Sequence, residues 1–77
     1  MSRIPPLDAR RVIKILERAG FRVARQKGSH LIMISDKKTR IVIPVHPGRD
    51  LKPGLIQAIM KEAGLSREEF LKLLEKA

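Results

Sequence analysis

The sequence predicts an α+β domain in which one helix precedes three antiparallel strands, a second helix follows them, and a short third helix ends the chain. Apolar residues recur at helical spacing between Leu7 and Ala19 and again after Pro53. Between these segments lie three β-rich runs, and turns of about three residues would join them as an antiparallel meander. A sheet of this size needs a cover over its apolar face, and the first two helices can provide it on one side.

The first helix has recognisable start and stop signals. Asp8 can accept hydrogen bonds from the free amides of the first turn. Leu7, just before it, can pack against Val12 as a hydrophobic staple. Gly20 follows the last periodic residue, in the position where a left-handed conformation commonly ends a helix. The apolar positions therefore share one face, and the other face is basic: Arg10, Arg11, Lys14 and Arg18.

The three strands are predicted over residues 21–26, 30–35 and 39–45. Lys27, Gly28 and Ser29 form the first turn, and residues 36–38 form the second. Pro44 has no amide donor, so the third strand is predicted to be an edge strand near its end.

Both later helices begin with capping signals. Pro53 suits the first turn of the second helix, which we expect to end at Gly64. Ser66 and Glu69 have the spacing of a capping box at the start of the third helix, bracketed by the staple pair Leu65 and Phe70. The resulting layout is that of the double-stranded-RNA-binding domain, which reads A-form RNA mainly by shape and phosphate contacts. Such a likeness of fold does not by itself assign an activity.

The charge of the chain is large and unevenly distributed. The formal net charge is +9 at pH 7. Residues 1–49 hold 12 of the 17 basic and 3 of the 8 acidic side chains, a net of +9, and the remainder is neutral. A localised excess of this size predicts a polyanionic partner, with nucleic acid ahead of an anionic membrane or an acidic protein.

Composition excludes several other classes of protein. The chain has no cysteine, so disulfide scaffolds and thiolate nucleophiles are excluded. Two histidines and scattered carboxylates do not predict a metal site. No apolar run approaches the length of a membrane span or a signal peptide. We therefore expect one cytoplasmic domain over residues 1–77 with no cofactor and no membrane partner.

The two histidines are the residues best suited to chemistry. His30 opens the second strand and His46 follows the third, so an antiparallel hairpin brings both to the same end of the sheet. If Ser35 pairs with Thr39, both imidazoles share one face; if Asp36 pairs with Thr39, they lie on opposite faces. The apolar pattern leaves both registers open.

His30 is the candidate catalytic residue because it follows a Gly-Ser turn in the densest basic stretch of the chain. An imidazole can accept and donate a proton near neutral pH. RNA cleavage needs a base for the ribose 2′-OH, cations for the developing charge and an acid for the leaving oxygen, and a metal is not obligatory. The candidate phosphate-binding residues are Arg22, Arg25, Lys27, Gly28 and Ser29, with His46 and Arg40 as secondary site candidates.

These residues belong to a series of motifs: Gly20-Phe21, Arg25-Gln26-Lys27-Gly28-Ser29-His30, Pro44-Val45-His46-Pro47-Gly48, Leu51-Lys52-Pro53-Gly54 and residues 59–65. From Leu7 to about Phe70 the chain thereby resembles the HicA mRNA interferase toxins. The resemblance implies a fold like the double-stranded-RNA-binding domain and ribosome-independent, metal-free cleavage of mRNA. It also implies neutralisation by a cognate HicB-type antitoxin, and by position it makes His30 the catalytic residue.

The sequence departs from this family in two places. Family members often have a second histidine after the catalytic one, where this chain has Leu31. We expect that change to remove a possible assisting side chain, which leaves the donor of the leaving-group proton open. The residue after Gly54 is often Thr and is Leu55 here, a change expected to affect only helix packing or a cap.

Two other classes of function stay open at this point. One is a non-catalytic RNA-binding module that uses the same basic face, and the other is a protein-interaction module that binds an acidic partner. The chain has two Phe and no Tyr or Trp, which argues against aromatic base stacking and favours recognition of the phosphate backbone.

Overall fold

The structure is a computed structural model that describes residues 4–77. Residues 1–3, which the predicted domain includes, lie outside that range. The order of elements confirms the predicted α-β-β-β-α layout with a third helix, and adds two short strands, one before the first helix and one before the second. The elements are β1 (Leu7–Asp8), α1 (Ala9–Arg18), β2 (Phe21–Lys27), β3 (His30–Ser35), β4 (Arg40–Pro44), β5 (Asp50–Leu51), α2 (Pro53–Ala63) and α3 (Arg67–Lys76).

The capping signals act as predicted. The Asp8 carboxylate accepts a hydrogen bond from the Arg11 amide at 2.9 Å, which satisfies a free donor in the first turn of α1. At the start of α3 the Ser66 hydroxyl accepts from the Glu69 amide at 3.1 Å. The Glu69 carboxylate accepts in return from the Ser66 amide at 2.9 Å, which completes the capping box. Gly64 ends α2 in the left-handed conformation.

The strands β1 and β5 were not predicted. Leu7 pairs with Leu51 and Asp8 with Asp50 in an antiparallel ladder. The first helix, α1, begins at Ala9, directly after its predicted cap Asp8. The ladder ties the start of α1 to the segment that leads into α2.

The main sheet has the order β2-β3-β4 with antiparallel pairing throughout. The central strand is β3, so β4 is an edge strand and Pro44 occupies the kind of position predicted for it. Lys27 pairs with His30 and therefore belongs to β2. The turn between β2 and β3 consists of Gly28 and Ser29 alone, one residue shorter than predicted.

One face of this sheet carries the apolar core. Leu31, Met33, Ile41 and Ile43 alternate along β3 and β4 and are buried in a single cluster with residues of all three helices. The helical residues of the cluster are Ala9, Val12, Ile15, Leu16, Ile56, Ile59, Met60 and Phe70. The helices therefore cover one face of the sheet, as predicted, and the opposite face is open.

Candidate functional site

The pairing of β3 with β4 decides between the two registers that the sequence left open. The Ser35 amide donates to the Thr39 carbonyl at 3.0 Å, and His30 lies opposite Pro44. Residues that lie directly opposite each other in an antiparallel pair project from the same face. His30 therefore shares its face with Pro44, and this face is the one opposite the buried Leu31 and Ile43.

The face that carries His30 is called here the outer face. It forms three rows across β2, β3 and β4, and each row follows from the cross-strand pairs. The rows are Arg22, Ile34 and Arg40; Arg25, Ile32 and Val42; and Lys27, His30 and Pro44.

A β-bulge in β2 determines which basic side chains of this strand project from the outer face. Val23 pairs with Met33 and Arg25 with Ile32, so Ala24 is an extra residue that has no partner of its own. Without the bulge, strict alternation would turn Arg25 towards the helices, since it is three residues from Arg22. The bulge resets the alternation, so Arg22, Arg25 and Lys27 all project from the face that carries His30.

The turn that presents His30 is tightly constrained. Gly28 has a φ of +59°, the conformation that glycine supplies at the first position of a type II′ hairpin turn. The Gln26 side-chain amide donates to the Gly28 carbonyl at 3.1 Å. On the other side, the Val45 amide donates to the Ser29 carbonyl at 2.7 Å. Both edges of the turn are thereby fixed, and with them the start of β3.

The outer face is apolar along its centre and basic around it. Val42 is 45% exposed, whereas Ile32 is nearly buried and lines a shallow groove with Arg25 and Arg40. The stems of such long side chains can cover apolar surface while their charges stay in water. An anionic ligand with some apolar surface would fit this arrangement.

Arg22 is less available than the other cations of this face. Its guanidinium contacts the Asp36 carboxylate at 3.0 Å, and both side chains are largely exposed, at 64% and 95%. An exposed pair of this kind contributes about 0–1 kcal/mol. Arg22 also lies roughly 16 Å along the strand from Lys27, since a strand rises about 3.3 Å per residue. Lys27 and Arg25 are therefore the cations of β2 nearest to His30.

His46 lies at the same end of the sheet as His30, but in a different setting. It is exposed and begins a turn in which the Arg49 amide donates to the His46 carbonyl at 3.1 Å. Pro47 and Gly48, with a Gly48 φ of +78°, give this turn the signature of type II. His46 lines a cleft of about 490 Å³ with the start of α1, and another of about 300 Å³ with the start of α2.

The structure gives both departures from the family motifs, Leu31 and Leu55, a different role from the one expected. Leu31 is buried and projects from the face opposite His30. The expectation that it replaces a side chain assisting His30 is therefore wrong for this geometry. Leu55 is 38% exposed and does not belong to the core cluster. It does not cap α2 either, because Lys52 occupies the N-cap position.

Three cationic residues at this end of the molecule were not assigned to a site from the sequence. Arg10, Arg49 and Lys52 line the two clefts beside His46. Arg49 and Lys52 are three residues apart, whereas Arg10 comes from the start of α1 and meets Arg49 in the larger cleft because β1 pairs with β5. The local signal in the sequence is the Pro-Gly pair followed by Arg49, which is typical of a turn and does not indicate a site.

The fold and this face define a small, basic α+β protein that presents a histidine at a tight turn. Residues 9–65 of the chain match the family described as the HicA toxin of bacterial toxin-antitoxin systems. The chain therefore belongs to the HicA toxin family, whose members act with a cognate antitoxin. None of the curated proteins compared with the chain matches it. Among residues 4–77, no helix is long and apolar enough to cross a membrane.

Proposed function

We propose that this toxin is a cytoplasmic endoribonuclease that cleaves mRNA without a metal ion, with His30 as its acid–base residue. The observation that carries the proposal is the position of His30: exposed, held by a two-residue turn and directly opposite Lys27 on an open basic face. An imidazole beside an ammonium group provides the two chemical functions that transesterification of RNA requires.

The reaction follows from these two groups. The His30 imidazole takes the proton of the ribose 2′-OH, and the 2′ oxygen attacks the adjacent phosphorus. The bond from phosphorus to the 5′ oxygen of the next nucleotide breaks as the new bond forms. The protonated imidazole gives its proton to that leaving oxygen, which yields a 2′,3′-cyclic phosphate and a 5′-OH. Lys27 stabilises the negative charge that develops on the phosphoryl oxygens.

The remaining cations serve binding rather than proton transfer. Arg25 and Arg40 lie one and two rows from His30 on the outer face, and Arg22 lies at its far end. Gly28 and Ser29 keep the turn narrow enough for a phosphate to approach the backbone. Recognition through phosphates suits a chain with two Phe and no other aromatic residue.

The same face is proposed as the binding surface of a HicB-type antitoxin. Val42 and the partly buried Ile34 form an apolar centre within the basic outer face. An acidic partner with apolar side chains would complement both properties. By covering the outer face, it would exclude RNA from His30 and Lys27 together.

Incubation of labelled RNA with the purified protein in EDTA tests the proposed function. We expect the wild type to produce fragments with 2′,3′-cyclic phosphate ends, and His30→Ala to produce none. Expression of the wild type without antitoxin should arrest growth, whereas equal expression of His30→Ala should not. Salt-sensitive RNA binding with no fragments in either protein would instead identify a non-catalytic RNA-binding module.

A further inference from the structure

A cleft that the proposed reaction does not use lies beside the candidate site. It has a volume of about 300 Å³ and opens between the end of β4 and the start of α2. This volume is at the lower end of the range of about 300–1,000 Å³ that is common for small-molecule sites. The residues that line it are Pro44, His46, Arg49, Asp50, Leu51, Lys52 and Leu55.

The wall of this cleft is apolar, and its rim carries the two cations Arg49 and Lys52 and one carboxylate, Asp50. Leu55 is 38% exposed, although it lies next to the fully buried Ile56 in the same helix. The core therefore leaves this large apolar side chain at the surface, where it faces the cleft together with Pro44. Arg49 and Lys52 are exposed cations of the same lining. An apolar wall with a few charged groups is the usual composition of a site for a flat organic ligand.

A single residue, Pro44, separates the cleft from His30. Pro44 lines the cleft and is also the cross-strand partner of His30. Side chains directly opposite each other have Cβ atoms roughly 4.5–5.5 Å apart. A nucleotide chain with one phosphate between His30 and Lys27 would therefore bring a neighbouring base to the far side of Pro44.

The turn at His46 makes the cleft a rigid feature. The Pro47–Gly48 turn is closed by the hydrogen bond from the Arg49 amide to the His46 carbonyl at 3.1 Å. The β1–β5 ladder then fixes Asp50 and Leu51 one residue later. The imidazole of His46 and the guanidinium of Arg49 therefore flank the cleft from a constrained backbone.

We infer that this cleft is a nucleobase subsite that takes the base of a nucleotide adjacent to the cleaved phosphate. Leu55 and Pro44 pack against the base, His46 offers a planar ring beside it, and Arg49 and Lys52 pair with the flanking phosphate. Aliphatic side chains and an imidazole replace the Tyr and Trp that the chain lacks. The place of the subsite relative to the cut rests on the proposed function, but binding of the base does not require cleavage.

The test compares two uncleavable oligomers of the same length, one a 2′-O-methyl RNA and the other its fully abasic counterpart. Both carry the same phosphates, so a difference between them reports the bases alone. We expect the RNA to bind about 5–10-fold more tightly than the abasic oligomer, at the lower end of measured base-stacking contributions. In NMR spectra, the methyl signals of Leu55 should shift with the RNA, through the ring current of the base, and not with the abasic oligomer.

A matched pair of variants locates the effect. Leu55→Ser should reduce the affinity for the RNA to that for the abasic oligomer, whose own affinity should not change. Val23→Ser is the control, because Val23 is similarly exposed, at 44%, but lies on β2 away from the cleft. It should bind both oligomers as the wild type does.

Three results would overturn the subsite: equal affinity for both oligomers, base-dependent shifts at Val42 instead of Leu55, or Leu55 shifts with a purified antitoxin but not with RNA. The last of these would make the cleft a docking point for the partner. Cleavage is measured in a separate assay, with an RNA whose 2′-hydroxyl groups are free. A wild type that cleaves without a base-dependent signal at Leu55 refutes the subsite alone, and one that shows this signal without cleaving refutes the proposed function alone.

Discussion

Lys27 and His30 lie directly opposite each other across the two-residue turn Gly28–Ser29, on the face of the sheet that the helices leave open. An ammonium group and an imidazole are thereby held side by side by backbone pairing alone. Neither side chain is buried, so this arrangement does not depend on packing in the core. A phosphate that reaches the turn meets both groups at once.

Replacing Lys27 with Gln should slow cleavage by about 10–100-fold, because the loss of one preorganised charge from a reaction with an anionic transition state commonly has an effect of this size or larger. RNA affinity should fall much less, since other cations of the outer face remain. Lys61→Gln, an exposed position on α2, is the control and should change neither quantity. Single-turnover rates and equilibrium binding separate the two effects. Equal losses of rate and affinity would show that Lys27 only binds RNA.

Replacing Gly28 with Ala should destabilise the fold by about 1–3 kcal/mol, because an L-residue is strained at the positive φ of a type II′ turn. No heavy atom lies within 4 Å of the added methyl group, so the penalty comes from the φ of +59° and not from a clash. Gly54→Ala makes the same chemical change in a helix, also without close neighbours, and should stabilise by about 0.4–1 kcal/mol. Urea unfolding of the two variants measures both values. A neutral Gly28→Ala would contradict the turn assigned here.

Replacing Arg25 with Gln should weaken RNA binding and reduce its dependence on salt. Because the bulge directs Arg25 to the outer face, the variant loses one phosphate contact, and the log–log salt slope should become less steep by about 0.7 for a single strand. The slope for Lys61→Gln should match that of the wild type. Fluorescence anisotropy at several salt concentrations measures both slopes. An unchanged slope for Arg25→Gln would place this side chain away from the bound RNA.

The capping box of α3 should make the stability of the fold depend on pH in the acidic range. The hydrogen bond from the Ser66 amide, helped by the Ser66 hydroxyl and by Lys72, lowers the pKa of Glu69 below its ordinary value of 4.5. Since the folded state favours the carboxylate, this stabilisation is complete above pH 4.5 and is lost as the pH falls through the lowered pKa.

Glu69→Gln, which keeps an acceptor without the charge, should therefore be less stable than the wild type at pH 7, with a gap that narrows in acid. Ser66→Ala should cost about 1 kcal/mol through loss of the helix cap. Thermal unfolding followed by circular dichroism at pH 3 to 7 measures these differences. A gap between wild type and Glu69→Gln that is the same at both ends of this range would contradict the assignment.

The parts of the fold that the sequence predicted are those with local causes. Asp8, Ser66 and Glu69 cap helices through bonds to residues three positions away, so their spacing alone was informative. The β1–β5 ladder has no such signal. It joins Leu7 to Leu51 across most of the chain, and each strand is only two residues long.

The sequence proposed which residues belong to the candidate site, but it could not predict their geometry. Charge and the Gly-Ser-His order selected His30 and the cations around it. The weak alternation of β2 concealed the bulge at Ala24, because a bulge breaks the period of two on which strand prediction depends. The pairing register of β3 with β4 was open for a different reason: Leu31 and Ile32 are both apolar, so the pattern does not show which of them faces the core. The cleft beside Pro44 is lined within the single stretch 44–55, but its shape depends on the turn at His46 and on the β1–β5 ladder, which no local pattern describes.

The most direct measurement of the central claim is the single-turnover cleavage rate of His30→Gln beside its affinity for an uncleavable RNA of the same sequence. Removal of a positioned acid–base group typically slows a reaction by about 10²–10⁴-fold. We predict a loss in this range with an affinity close to that of the wild type, and a much smaller loss of rate for His46→Gln. A His30→Gln variant that cleaves at the wild-type rate, or loses rate only in proportion to affinity, would contradict a catalytic role for His30.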